Sequence, residues 1–283
     1  ARIEINDNPV RWFKETHRIR VADAVLNEHF AGTYDAFVVL QSENESLVAE
    51  FRSAALNILD ELEAAGANVA QIRGLVEAPA TDGWFGQIIS AVDDALFDST
   101  LETEAGYEML LARAEDAQSP SRYFQSPAAL AMIEQMQEAL LDSGLVVKTN
   151  EFPDLVKVVN RELRSGEQAD YQIPRSVPAV AQTLLQFQSS HRPQDLWHMV
   201  TPDYRATAIW LQLTSGDNQD MSAVMAVLDD YLEANRLPEG VTADWAGKTY
   251  INVVWQSEMV SGMLRSLLCA FVIVFVMMSV LFR

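Results

Sequence analysis

Tyr204-Arg205-Ala206-Thr207-Ala208-Ile209-Trp210-Leu211-Gln212-Leu213 is the stretch on which the fold turns. Ala206, Ala208, Trp210 and Gln212 fall on one side and Thr207, Ile209, Leu211 and Leu213 on the other, the period of two expected of a strand with one face buried. Downstream, Ser215 to Asp220 reads as a turn and cap. Met221 to Leu232 reads as a helix with Val224, Met225, Leu228 and Leu232 inward. Pro238-Glu239-Gly240 breaks it, and Val241 to Trp245 reads as a short strand. These elements make one β-α-β set.

A second set lies upstream. Ile19, Ala22, Val25, Leu26 and Phe30 recur at helical spacing, Ala31-Gly32 supplies a stop, and Tyr34 to Leu40 reads as a strand through Phe37, Val38, Val39 and Leu40. Ala128 to Leu141 reads as a helix with Leu130, Ile133, Met136, Leu140 and Leu141 on one side, capped by Ser126 with Pro127 at the first helical position. Ser143-Gly144 ends that helix and a strand follows over 145–150. Further helices start at Pro153, through Leu155, Val156, Val159 and Leu163, and run from Val177 to Phe187. Two β-α-β sets separated by helices predict an α+β sandwich of the ferredoxin-like kind.

Residues 45–120 interrupt this order as a mainly helical, acidic insertion after the first strand. Leu47, Val48, Phe51, Ala54, Ala55, Ile58, Leu59 and Leu62 make an amphipathic helix ending near Gly66. Val69 to Val76 reads as a short strand, and two more helices run through Ile88, Ile89, Val92, Ala95 and Leu96 and through Tyr107, Leu110, Leu111 and Ala114. The expected division is therefore an α+β domain over 1–44 and 121–248, the insertion over 45–120, and a long helix over 249–283.

That last helix carries the second decisive feature. Ser266 to Phe282 holds no charge, no Pro and no Gly over seventeen positions, about 25 Å of apolar helix. With Met263 and Leu264 the apolar span covers about 263–282, close to a bilayer crossing, and it is apolar all round rather than on one stripe. Arg265 and Arg283 flank both ends, so positive charge does not choose an orientation. Cys269, the only cysteine, lies inside the run and excludes an intrachain disulfide or a cysteine-based metal site. The chain starts at Ala1 without Met and ends one residue after the run, and it is expected to be a piece of a larger membrane protein.

A net charge of -20 repels phosphate backbones, which argues against nucleic acid as a partner. The sequence contains no nucleophile elbow, dinucleotide fingerprint, phosphate loop or zinc-protease motif, and His17, His29, His191 and His198 are scattered. Asp93-Asp94 and Asp229-Asp230 diverge on a helix, and Asp217-Asn218-Gln219-Asp220 lacks the glycine and distal Glu of a calcium loop. Asn44-Glu45-Ser46 matches a glycosylation acceptor, a pattern common by chance. No catalytic residue, metal or cofactor is expected. The apolar run also lacks any carboxylate, Lys or His with which to move a proton across the membrane.

Several collinear segments resemble the extracytoplasmic loop of bacterial RND-superfamily permeases of the MMPL and hydrophobe-exporter type. They are Ile5-Asn6-Asp7-Asn8-Pro9-Val10-Arg11-Trp12-Phe13, Ile19 to Asp23 with Leu26-Asn27, and Phe30 to Tyr34. They continue with Val156 to Leu163, Ile173-Pro174, Leu196-Trp197-His198 and Val200 to Tyr204, and close with Trp245-Ala246-Gly247, Tyr250 to Trp255 and Met259 to Leu264. The resemblance covers most of 1–40 and 125–283 and departs at about 45–120. It implies a periplasmic porter domain, most closely that of the second half of the transporter, followed by a membrane helix, in a bacterial inner-membrane protein. It also implies proton-motive-force-driven export of hydrophobic or lipid-like molecules. The partners implied are the remaining membrane helices and the other porter domain of the same protein, with homo-oligomers possible in that family. Its proton-relay carboxylates lie on a later membrane helix with no counterpart here. Trp210 on the alternating strand and Trp84-Phe85 in the insertion are candidates to line a hydrophobic substrate path, with core packing the competing role. The alternative expectation is a periplasmic binding, sensor or assembly domain on a single membrane anchor.

Overall fold

The computed structural model describes residues 8–30, 32–43, 45–81 and 83–282. Ile5 to Asp7 of the resemblance, Ala31 of the helix stop and Asn44 of the glycosylation match lie outside them. Of the described residues 66% are helical, arranged around one four-stranded antiparallel sheet. After a 3-10 turn at Pro9–Trp12 come α1 (Arg18–Phe30), β1 (Tyr34–Ser42), α2 (Glu45–Ala64), α3 (Ala70–Glu77), α4 (Trp84–Phe97) and α5 (Glu104–Ser121). The second half holds α6 (Pro127–Asp142), β2 (Val146–Asn150), α7 (Phe152–Leu163), α8 (Val177–Gln188), β3 (Ala206–Leu213), α9 (Asn218–Ala234), β4 (Val241–Ala246) and α10 (Lys248–Leu281).

The strand order is β2-β3-β1-β4. Each β-α-β set therefore contributes two strands that are not neighbours: β3 lies between β1 and β2, and β1 lies between β3 and β4. On β1, Ala36, Val38 and Leu40 are buried while Phe37 and Val39 are half-buried. On β3, Thr207, Ile209, Leu211 and Leu213 are buried while Trp210 is exposed. The alternation read from the sequence thus becomes a sheet with one covered and one open face. The covered face packs on Leu130, Ile133, Met136 and Leu140 of α6, Val156 of α7, Leu184 of α8, and Met221, Val224 and Leu228 of α9. Helix α6 starts as expected, the Ser126 hydroxyl accepting from the Ala129 N–H at 3.2 Å with Pro127 at its first turn.

Of residues 69–76, expected as a strand, Val69 stands at the N-cap and the rest fall in the helix Ala70–Glu77. Val69, Ile72 and Val76 are buried at spacings of three and four, which puts all three on one face of a helix and would split them between the two faces of a strand. They join the separate hydrophobic cluster of α2–α5, which includes Phe51, Leu59, Ile88, Val92 and Leu110 and shares no buried residue with the sheet core. A chain segment with its own core can lose order by itself. Leu110→Ala empties a fully buried site and is expected to cost about 2–5 kcal/mol. Amide exchange should accelerate across α2–α5 and stay slow in β1 and β3; equal acceleration in the sheet would show that the two cores melt as one.

The two ends of the sheet carry different attachments. β1 ends at Ser42 beside the start of β4, and this end leads into the insertion. At the other end β1 begins, β3 and β4 finish, and α10 leaves. Helix α10 runs 34 residues, about 50 Å, and among its residues Thr249 and Gln256 are buried. Among the described residues it is the one helix long and apolar enough to cross a membrane, and its apolar window is not covered by the rest of the chain. Cys269 is exposed within it.

Candidate functional site

The open sheet face is the first candidate. Phe37 and Trp210 are cross-strand partners whose rings stack with centroids 6.1 Å apart and planes 17° from parallel. Val39 pairs with Ala208 beside them. Across the neighbouring strands, Asn150 stands opposite Trp210, Ala246 opposite Phe37 and Asp244 opposite Val39. Asp35 and Gln212 pair at one margin, where Lys148 also lies opposite Gln212. Trp210 remains 41% exposed. The arrangement is a narrow aromatic strip with polar margins, suited to hold apolar matter against a rigid strand surface.

Trp84 and Phe85 are placed elsewhere. Both open α4, are buried, and meet Phe51 edge-on at 5.6 and 5.1 Å between centroids. The Trp84 indole N–H donates to the Leu75 carbonyl at 2.7 Å. The Arg52 guanidinium sits 5.3 Å over the Trp84 ring while donating to the carbonyls of Val76 at 2.8 Å and Ala78 at 2.7 Å. These contacts make the pair the aromatic core of the insertion. They also border a cavity of about 70 Å³ facing Arg122, Asp203 and Arg205. They do not converge with Trp210.

A third feature escaped sequence reading. Glu151 occupies the position just before α7 without capping it: it is fully buried, and neither carboxyl oxygen has a hydrogen-bond partner among the described residues. Burial, reinforced by the charge of Asp154, pushes its pKa up to about 9, against a smaller pull downward from Lys157; Glu134 and Glu138 of α6 add to the rise. At neutral pH it therefore holds its proton. Around it Lys157 Nζ bridges Glu134 at 2.7 Å and Asp154 at 2.9 Å, and the Tyr171 hydroxyl donates to Asp154 at 2.9 Å. Burial alone would lower the pKa of Lys157, but the bonds to Glu134 and Asp154 overcome it and hold the ammonium charged. An acidic residue between a strand and a Pro-started helix is the only trace of this in the sequence, and it is a weak one.

The last polar constellation lies where α10 departs. Asn8 donates to Asp217 at 2.8 Å in a buried contact, Arg11 forms an ion pair with the same carboxylate, and Asn218 at the start of α9 donates to Gln256 of α10. Nearby, the Tyr34 hydroxyl donates to Asp23 at 2.8 Å. Burial first and Asp23 second push the Tyr34 pKa up to about 12. Among the described residues no group of three His, Cys, Asp or Glu is placed to hold a metal ion.

The described residues define an α+β domain with a helical insertion, carried on one C-terminal helix of membrane-spanning length. Comparison with known protein families, characterised proteins and solved structures finds no match.

Proposed function

We propose that this chain is the porter domain and coupling helix of an RND/MMPL-like exporter, driven by the proton-motive force and moving hydrophobic or lipid-like molecules. The observation that carries the reading is α10. One unbroken helix leaves the end of the sheet, is gripped at Gln256 by the start of α9, and continues into an exposed apolar run. A movement of the sheet is thereby passed to the membrane without an intervening loop. The strand order β2-β3-β1-β4, with each β-α-β set split by a strand of the other, supports a ferredoxin-like porter unit. In this reading the domain faces the periplasm from the bacterial inner membrane. Its partners are the other porter domain and the remaining membrane helices, which supply the proton relay absent from 266–282. Homo-oligomers of the complete exporter belong to the same reading.

The Phe37–Trp210 strip is the part of the substrate path proposed for this domain. Trp84 and Phe85 reach such a path only through the small cavity that they border. In the full-length exporter, Trp210→Ser removes an aromatic contact worth about 1.5 kcal/mol and should lower apparent substrate affinity about tenfold, measured as the concentration dependence of efflux with unchanged circular dichroism. Unaltered efflux removes the strip from the path. The exporter reading has its own test: vesicles containing only residues 1–283 should show no proton-driven efflux, and transport by them would overturn the division of labour proposed here.

A further inference from the structure

Residues 9–20 depart from the charge of the rest of the chain. Arg11, Lys14, Arg18 and Arg20 stand within ten positions with Glu15 as the one acid, although the protein carries 40 Asp and Glu against 20 Lys and Arg. Two aromatic side chains accompany them. Trp12 is 72% exposed, and Phe13 stacks on the exposed His17 with centroids 4.6 Å apart. The following helix, α1, buries none of its residues and leaves Ile19, Val21, Val25, Leu26 and Phe30 exposed. A domain that needed this segment for its own core would not leave it so uncovered.

A chain of contacts ties its head to α10. Asn8 and Arg11 hold Asp217, whose neighbour Asn218 holds Gln256 of α10. The head of the segment is therefore tied to the level of Gln256, seven residues before Met263, about 10 Å along the helix from the apolar span. A bilayer's headgroup layer extends about 5–8 Å beyond each side of its hydrocarbon core, and an indole side chain covers the remaining distance. Trp255, 53% exposed, occupies the same level on α10. Tryptophan is enriched at that depth, and basic segments beside a membrane helix are drawn to anionic lipid.

We infer that residues 9–20, together with Trp255, form a foot by which the domain rests on anionic phospholipid headgroups around α10. Arg11 is tied to Asp217 and Arg20 lies 3.9 Å from Glu15, so the exposed Lys14 and Arg18 make the charge contact and Trp12 the apolar one. The foot pins the N-terminal segment, and through Asp217 the start of α9, at a set height above the bilayer. This rests on α10 crossing the membrane, which the native Cys269 reports separately.

The test uses the complete chain in lipid nanodiscs with nitroxide labels. A label on Cys269 should be accessible to oxygen and shielded from an aqueous nickel reagent in any lipid. A label on Thr16→Cys in a Cys269→Ser background should be shielded from nickel at least about threefold more in discs containing phosphatidylglycerol than in phosphatidylcholine discs, a floor beneath the roughly thirtyfold in partition that two interfacial cations at about 1 kcal/mol each supply. High salt, which shortens screening to about 3 Å at 1 M, or Lys14→Glu with Arg18→Glu should abolish the difference. Equal accessibility at position 16 in both lipids, with Cys269 still deep, overturns the foot and leaves the membrane span standing. A water-exposed Cys269 label overturns both.

Discussion

Glu151→Gln is expected to make the protein more stable, and by a margin that widens as the pH rises. In the unfolded chain this carboxyl ionises near its ordinary 4.5, whereas in the fold it keeps its proton until about 9. Between those values the unfolded state binds fewer protons, so each pH unit draws the wild-type protein about 1.4 kcal/mol toward unfolding through this one group. The contribution is most favourable below pH 4.5, falls steadily, and stops changing above about 9. Glutamine cannot ionise. The difference between variant and wild type should therefore grow by about 2.7 kcal/mol from pH 6 to pH 8, read from denaturant unfolding of the whole chain in detergent. Parallel profiles would show that Glu151 is already ionised in the folded protein over this range.

Gly32→Ala is expected to be the most damaging small substitution in the domain. Gly32 joins α1 to β1 at φ +102°, and a Cβ there would lie 2.6 Å from the carbonyl oxygen of Leu213. The obstacle is backbone at the end of β3, a strand held on both sides by β2 and β1, so it cannot turn aside as a side chain would. Positive φ costs about 1–3 kcal/mol by itself, and displacing the strand end raises the loss to on the order of 4 kcal/mol. A fall in Tm of about 8–16 °C follows for a domain of this size. Gly144→Ala is the control: its φ is +70° but open space surrounds the added methyl, so about 1–2 kcal/mol is expected. Equal losses at the two glycines would mean that strain alone, rather than the approach of Leu213, sets the cost.

Much of the secondary structure was legible because local periodicity encodes it. Thr207, Ile209, Leu211 and Leu213 alternate for the same reason that they are buried, and Ser126-Pro127 starts α6 because capping is a local event. Residues 69–76 misled because Val69, Ile72 and Val76 form a short β-branched set whose spacing fits a helix face, while their residue types suggest a strand. The candidate site was legible only in part. Trp210 and Trp84 are both tryptophans at the edge of an apolar pattern, and nothing near either residue in the chain says that one would face solvent and the other would lie under Arg52 and Phe51.

By itself the sequence determined the alternating strands, the helices between them, the helical character of 45–120 and the apolar length of 263–282, because each of these depends on residues within one or two turns of one another. Tertiary structure alone decided that β3 lies between β1 and β2, and so that Trp210 meets Phe37 on an open face. It also decided that Glu151 is sealed among Asp154, Lys157, Glu134 and Glu138, and that Asn8 and Gln256 are joined through Asp217 and Asn218. These are meetings of residues far apart in the chain. They follow from how the hydrophobic faces close on one another as a whole, and local periodicity carries no record of which faces will meet.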